Sequence, residues 1–338
     1  MKLLLICLDG VRADYALPDF MEENPLFKTP DHPADPRFSS GGKDHTLPPQ
    51  ERPKNLARTL NRLGRGDEHS EGKVIPMWMT PPTDSGPGWS TIITGATHEE
   101  CNVWWNEFVG HELAKTPDIL SRVFFANPKA RTLAACTWDA FTVGSGPGPM
   151  IHQRVDQQRT GQHKVFHPDV SNGVPAADAS VIQWATWHLL HEGPDAAVVY
   201  LEGVDAAGHA HGAESEQYRD AISQVDEWVR YLIKAVAERY EQLGEEWLVA
   251  VTTDHGHKPE GGHGEDEVEV RRSFLITHMI GGQLPQVIRD KEVLHSHEVM
   301  WLLLDAMGVK SGSYDAPGVG ELQDIETVGP TRNLDFEW

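Results

Sequence analysis

The chain has 338 residues, enough for one large α/β domain or two small ones with a complete hydrophobic core. Its 29 Lys and Arg against 51 Asp and Glu give a formal charge of −22. So acidic a surface repels phosphate backbones and excludes a nucleic-acid polymer as an expected partner. Cys7, Cys101 and Cys136 have no metal-like or disulfide-framework spacing, which fits a reducing compartment.

The first predicted element is a buried strand at residues 3–8. This apolar run is too short for the core of a signal peptide, has no small-residue cleavage site and leads directly into Asp9-Gly10. The sequence contains no apolar run long enough to span a bilayer. We therefore expect a cytoplasmic protein without a membrane partner.

Apolar runs typical of strands alternate with helical patterns along the rest of the chain. The predicted strands are 3–8, 74–79, 132–137, 196–201 and 247–252. The predicted helices are 55–63, 180–191, 215–243 and 297–307. This alternation predicts an α/β fold with a mostly parallel central sheet and helices on both faces.

Two segments interrupt the alternation. Residues 15–54 are rich in Pro, Asp and Gly, and residues 139–175 contain a Gly-Ser-Gly-Pro-Gly-Pro run. Long irregular segments in compact domains commonly cover functional sites, so we predict loop or cap insertions there. The sequence thus indicates one α/β domain over residues 1–310 and a C-terminal tail over 311–338.

Acidic and imidazole side chains follow three of the predicted strands and recur in one glycine-rich loop. They are Asp9, Asp205 with His209, Asp254 with His255, and His263. The carboxyl ends of parallel strands form the ligand-binding crevice of an open sheet, so these groups should converge. Mixed carboxylate and imidazole ligands suit zinc best, with manganese or iron as alternatives.

The spacing within these segments supports a metal site. Asp205 and His209 lie one helical turn apart, so both can point at one ion. A single such residue is more often a cap or an ordinary polar group, but four segments in matching positions favour metal binding. His211 and His257 lie two residues from expected ligands and are expected to face elsewhere.

A hydroxyl nucleophile is predicted in residues 80–95, which read as a strand end, a turn and a helix. Ser85 is expected at the N-cap, with Pro87 in the first turn. A helix N-terminus offers free N–H groups to an anion, and a serine that contacts a metal loses its proton easily. The alternative hydroxyls in this segment are Thr83, Ser90 and Thr91.

These residues resemble the alkaline phosphatase superfamily and, within it, the type I phosphodiesterase/nucleotide pyrophosphatase family. The matching motifs are Asp9-Gly10, Ser85-x-Pro-Gly-Trp with Thr94-Gly95, Asp205-x-x-x-His209, Asp254-His255-Gly256 and Gly262-His263-Gly264. They occur in the family's order and cover roughly residues 1–14 and 55–309. Two substitutions depart from that pattern, Gly88 in place of a frequent Asn and Cys101-Asn102 in place of His-Gly, although Asn106 keeps its place.

The resemblance implies an alkaline phosphatase-like fold and two divalent metal ions, commonly zinc, beside a Thr or Ser nucleophile. One ion would be held by Asp9, Ser85, Asp254 and His255, and the other by Asp205, His209 and His263. Counting back from Thr94-Gly95 places the nucleophile at Ser85. The implied function is a phosphodiesterase or nucleotide pyrophosphatase that acts on a small, nucleotide-like phosphorylated substrate through a phosphoseryl intermediate.

The alternatives are other activities of the same superfamily and, from a different class, a protein without catalytic activity. A sulfatase needs Arg at the position of Trp89, so that function is disfavoured. A phosphonoacetate hydrolase-like enzyme that cleaves a C–P bond, a phosphomonoesterase and a non-catalytic metal-stabilised binding module remain alternatives. No Lys or Arg lies between Lys73 and Lys115, which favours diesters over the more highly charged monoesters. Trp89, Trp104 and Trp105 in that stretch are expected either to stack on substrate or to pack in the core.

Overall fold

The computed structural model describes residues 1–28, 37, 41 and 43–309. The predicted tail at 311–338 lies outside the described residues, as does part of the predicted insertion at 15–54. The described part of that insertion contains two short helices and two 3-10 turns. The insertion at 139–175 contains two short helices and a strand. A capping role for either segment stays a prediction.

A single eight-stranded sheet runs through the centre of the described residues. Its strands are β1 (Lys2–Leu8), β2 (Gly72–Trp78), β3 (Thr132–Cys136), β4 (His163–Phe166), β5 (Ala196–Leu201), β6 (Trp247–Thr252), β7 (Arg272–Ile280) and β8 (Leu294–His295). Their order is β4-β3-β5-β1-β6-β7-β2-β8. Strand β7 is antiparallel to both β6 and β2, and the other neighbours are parallel.

Fourteen α-helices connect or flank these strands in the described residues. They are α1 (Ala13–Ala16), α2 (Pro18–Glu23), α3 (Arg58–Arg65), α4 (Ser85–Thr94), α5 (His98–Cys101), α6 (Ile119–Ala126), α7 (Asp139–Thr142), α8 (Val155–Arg159), α9 (Val174–Glu192), α10 (Gly203–His211), α11 (Glu216–Leu243), α12 (Val268–Arg271), α13 (Gln286–Asp290) and α14 (Val299–Ala306). None of these helices is both long and apolar enough to cross a membrane.

Side-chain alternation along β1 divides the core into two layers. Leu3, Leu5 and Cys7 pack with residues of α4, α6 and α14 on one face of the sheet. Leu4, Ile6 and Leu8 pack with residues of α3, α9 and α11 on the other face. Successive strand residues point to opposite faces, so a continuous apolar run is what a strand covered on both sides requires. The predicted α/β architecture with helices on both faces is confirmed.

The five predicted strands and four predicted helices are all present, with ends displaced by up to six residues. Strands β4, β7 and β8 were not predicted. Because β7 runs antiparallel to both β6 and β2, strand β2 points in the same direction as β6. The carboxyl ends of β1, β2, β5 and β6 therefore lie at one edge of the sheet, where the functional segments begin.

Candidate metal centre

The predicted ligand segments meet at this carboxyl edge. Asp9 follows β1, Asp205 and His209 lie on α10 directly after β5, and Asp254 and His255 follow β6. Among the described residues, two groups of Asp and His side chains bring their ligand atoms within 4.8 Å of one another. The groups are Asp9, Asp254 and His255, and Asp205, His209, His257 and His263.

The first group surrounds the side chain of Ser85. The Ser85 Oγ lies 3.2 Å from His255 Nε2 and 3.4 Å from Asp9 Oδ1. His255 Nε2 lies 3.3 Å from both Asp9 Oδ1 and Asp254 Oδ2. Four polar groups of the set predicted for one ion thus converge, and all of them are buried.

The second group gathers on one side of α10. His209 Nε2 lies 3.0 Å from His263 Nε2 and 3.5 Å from Asp205 Oδ2. His263 Nε2 is 3.4 Å from Asp205 Oδ1, and its Nδ1 is 3.0 Å from the Thr83 carbonyl oxygen. The loop of His263 is thereby held against the segment that leads to Ser85.

The two groups are adjacent. The rings of His255 and His263 stack with centroids 3.6 Å apart and planes inclined by 21°. Each ring belongs to a different group, so the two candidate metal sites are direct neighbours.

Burial and like charge dominate the electrostatics of the first group. Burial, reinforced by the nearby Asp205 carboxylate, raises the pKa of Asp9 to about 7. Burial and the carboxylates of Asp9 and Asp205 also raise the pKa of Asp254 well above its ordinary value. Both pKa shifts have the same cause, because burial and neighbouring negative charge disfavour the ionised carboxylate.

The second group behaves differently because carboxylate and imidazole pair within it. Burial opposes ionisation of Asp205, but hydrogen bonds with His257 and His263 outweigh it and hold the Asp205 pKa well below its ordinary value. Burial likewise opposes protonation of His263, but Asp205 outweighs it and raises the His263 pKa.

The residues present fit bound metal ions. Asp254 Oδ2 is a buried oxygen without a hydrogen-bond partner, a state that is costly unless a cation faces it. In the described residues, the partners of Asp9, Asp205 and Asp254 are hydroxyl, amide, indole and imidazole groups, and none is Lys or Arg. Carboxylates and imidazoles in this number form a donor set suited to divalent transition metals.

Two details of the sequence prediction were wrong. The N-cap of α4 is Asp84, and Ser85 is the first residue of the helix. His257 does not face elsewhere, because its Nε2 lies 2.7 Å from Asp205 Oδ1. An available signal was its position two residues after His255, since alternate residues of an extended segment share a face. His211 is exposed at the end of α10, as expected.

The rival hydroxyls of the segment 80–95 have other surroundings. Thr83 Oγ1 lies 2.9 Å from the Glu265 carbonyl oxygen, and Thr91 Oγ1 lies 2.8 Å from that of Gly88. Ser90 Oγ is buried without a partner. Of the four hydroxyls, that of Ser85 is the one in contact with the first group.

Comparison with known proteins identifies the family of the chain. Residues 50–274, about two thirds of the chain, match the type I phosphodiesterase / nucleotide pyrophosphatase family. The chain belongs to this family. Membership identifies it as an enzyme of the phosphoester hydrolase or transferase type. The resemblance inferred from the motifs is confirmed.

Curated relatives include much longer proteins. The catalytic subunit of human GPI ethanolamine phosphate transferase 3 is 31% identical over 251 residues, which cover 71% of this chain and 20% of the relative. Mouse GPI ethanolamine phosphate transferase 1 is 31% identical over 94 residues, 28% of this chain and 10% of the relative. The chain thus spans about a tenth to a fifth of the length of these relatives.

A solved structure shows the same fold. Human ectonucleotide pyrophosphatase / phosphodiesterase 5 superimposes with a TM-score of 0.57 at 15% identity, covering 96% of this chain and 99% of that chain. The fold is therefore alkaline phosphatase-like, as the resemblance implied.

Proposed function

We propose that this chain is a two-metal phosphoester hydrolase with Ser85 as its nucleophile. The observation that carries the proposal is the position of Ser85 Oγ, 3.2 Å from His255 Nε2 and 3.4 Å from Asp9 Oδ1. This position brings the hydroxyl oxygen to a helix N-terminus and to carboxylate and imidazole groups of the kind that bind metals.

Two divalent ions, zinc according to the donor chemistry, would be held by the predicted ligand sets. These are Asp9, Ser85, Asp254 and His255 for one ion, and Asp205, His209 and His263 for the other. When bound, such ions lower the pKa of a hydroxyl and neutralise charge on phosphoryl oxygens.

The chain's own residues supply the nucleophile and its orientation. Ser85 Oγ forms a bond to phosphorus while the ester P–O bond breaks, and the alcohol leaves with a proton. Water then releases the phosphoryl group from the phosphoseryl residue. The N-terminus of α4 would direct the positive end of the helix dipole toward the phosphoryl anion. Asn106 Oδ1 accepts the Gly86 N–H at 2.7 Å, which holds the Asn106 amide beside the nucleophile.

We infer that the preferred substrates are diesters or nucleotide-like anhydrides. A monoester dianion brings one more negative charge to a place already occupied by Asp9 and Asp254. Asp84, which directly precedes Ser85, adds another carboxylate whose nearest ionic partner is His263 Nδ1 at 3.7 Å. Because no described Lys or Arg contacts these carboxylates, a less charged phosphoryl group meets less repulsion.

A transferase is the second candidate, and the relatives named as ethanolamine phosphate transferases favour it. The first half-reaction would be the same, because Ser85 would take the phosphoryl group in either case. The difference lies in the acceptor, which would be an alcohol in place of water.

The decisive experiment compares Ser85→Ala with Ser90→Ala in the metal-loaded protein. Ser85→Ala should lower turnover of a nitrophenyl phosphodiester by three orders of magnitude or more, roughly as for other covalent nucleophiles. Ser90→Ala is the matched control, because its hydroxyl lies buried on the same helix without a partner. Near wild-type turnover in Ser85→Ala would refute the proposed nucleophile. Adding ethanolamine or glycerol separates the two candidates, since a transferase yields the new phosphodiester and a hydrolase the free acid.

A further inference from the structure

Both ring nitrogens of His257 are engaged, and their partners determine which one carries the proton. The main-chain N–H of Gly262 donates to Nδ1 at 3.1 Å, so Nδ1 is an acceptor without a hydrogen. In a neutral imidazole the other nitrogen then carries the hydrogen. Nε2 lies 2.7 Å from Asp205 Oδ1, and a carboxylate oxygen only accepts. His257 is therefore a donor to Asp205.

The surrounding chain keeps the His257 ring in this orientation. The residue is fully buried, and a Cβ at Gly208 would lie 2.6 Å from its Nε2. The ring therefore packs directly on the backbone of α10. The edge of the Tyr218 ring contacts it with centroids 5.9 Å apart, and Arg12 donates to the His257 carbonyl oxygen at 3.2 Å. Rotation of the ring would break both nitrogen contacts.

We propose that His257 is a positioning residue of the second metal site and not one of its ligands. Its Nε2–H holds Oδ1 of Asp205 and thereby leaves Oδ2, 3.5 Å from His209 Nε2, available to the ion. Direct binding through Nε2 would require loss of this proton and of the 2.7 Å contact. The inference rests on the proposed function, because it assumes that Asp205, His209 and His263 hold an ion.

Variants of the full chain test this assignment through zinc binding. His257→Leu fills the space without a donor, His257→Gln returns an amide N–H near the Nε2 position, and exposed His211→Leu is the control. Zinc content and the dissociation constants of the two ions are measured by elemental analysis and chelator competition. We expect His257→Leu to raise the dissociation constant of one ion about 10- to 100-fold and to leave that of the other unchanged. This is the usual effect of removing a hydrogen-bond partner of a metal ligand. His257→Gln should recover most of the loss, and His211→Leu should match wild type.

A second measurement does not depend on any variant folding. Nitrogen NMR of the histidine side chains in zinc-loaded wild type should show His257 with a hydrogen on Nε2 and none on Nδ1. Loss of that Nε2 hydrogen on zinc loading would make His257 a ligand and overturn the proposal. The proposal would also be overturned if His257→Leu bound both ions with wild-type affinity, or if His257→Gln bound zinc as weakly as His257→Leu. Wild type that binds no zinc would instead overturn the proposed function, and this inference with it.

Discussion

Asp9 has one carboxylate oxygen fixed by aromatic donors and the other turned toward Ser85. Its Oδ2 accepts the indole N–H of Trp89 at 2.9 Å and the hydroxyl hydrogen of Tyr200. Its Oδ1 faces Ser85 Oγ and His255 Nε2. Trp89 is thus a buried residue whose polar edge orients a predicted metal ligand, which places it in the core and not in a stacking position.

Trp89→Phe should weaken metal binding at the first group because it removes this donor and keeps most of the aromatic volume. We expect a loss of about 10-fold or more in affinity for one ion and a matching fall in turnover at limiting metal. The matched control is Trp301→Phe, which removes an indole donor to the Gly95 carbonyl oxygen at 2.8 Å. Equal metal affinities in the two variants would mean that Trp89 only fills space.

At the scale of single elements, the edge strand β4 contains a buried histidine that resists protonation. Burial and the neighbouring Arg154 guanidinium lower the pKa of His163 to about 4. Its Nδ1 lies 2.9 Å from Thr132 Oγ1 and 2.8 Å from the guanidinium Nη2 of Arg154, while the Asp118 carboxylate opposes the pKa shift. The neutral ring is therefore part of the contact between β4 and β3.

This histidine should make the fold sensitive to acid. Its folded pKa is below the unfolded value of 6.5, so the unfolded chain binds more protons between pH 6.5 and about 4. The stability it contributes is complete above pH 6.5 and is lost as the pH falls toward 4, by at most about 3 kcal/mol. Urea unfolding of wild type and His163→Asn at pH 7.5, 6 and 4.5 measures this. As the pH falls, the free energy of unfolding of wild type should decrease more steeply than that of His163→Asn. An equal decrease in the two proteins would contradict the prediction.

Strands were predicted where burial on both faces makes their own sequence uniformly apolar. Strand β1 is uniformly apolar because helices cover it on both faces, and that cause is visible in the sequence. Strand β7 was missed although it is fully buried, because it begins with Arg272 and contains His278. Arg272 Nε donates to the carbonyl oxygen of Phe27 at 2.6 Å. His278 Nδ1 lies 3.0 Å from the carbonyl oxygen of Leu63. Such partners lie more than 200 residues away, so no local pattern reveals them.

The same limit applies to the metal centre. The expected ligands were recognisable because each stands in a short motif after a strand, and the structure brings them together. Trp89 and Tyr200 act on Asp9 from 80 and 191 residues away in the chain. Their role depends on the order of strands in the sheet, which the sequence did not specify.

For the whole molecule, charge compensation links metal content to stability. Buried Asp9 and Asp254 have no Lys or Arg partner among the described residues, so bound cations should stabilise the folded state. Two ions at a hundred times their dissociation constants contribute roughly 5 kcal/mol, which corresponds to a Tm fall on the order of 10 °C on chelation. The Tm is measured by calorimetry before chelation, after chelation and after zinc has been added back. The Asp205→Asn/Asp254→Asn protein should not respond, and an unchanged Tm in zinc-containing wild type would refute the link.

The carboxylates around Ser85, the proposed nucleophile, should also determine the substrate preference. We expect kcat/KM for bis(nitrophenyl) phosphate to exceed that for nitrophenyl phosphate. Asp84→Asn should reduce the ratio of diester to monoester kcat/KM, because it removes one negative charge beside Ser85. The control Asp220→Asn, on the exposed side of α11, should leave this ratio unchanged. A monoester favoured by tenfold, about 1.4 kcal/mol in the barrier, would contradict the diester preference.

The central place of β1 has a consequence for biosynthesis. This strand is synthesised before both of its neighbours in the sheet, which are β5, in register at Ala196, and β6, in register at Trp247. At about 5–20 residues per second, a ribosome needs roughly 10–40 s to reach β5 and longer to reach β6. Throughout that interval, the run Leu3–Leu8 has apolar side chains on both faces and unpaired backbone groups. We therefore expect a chain arrested before residue 196 to aggregate through the unpaired strand β1.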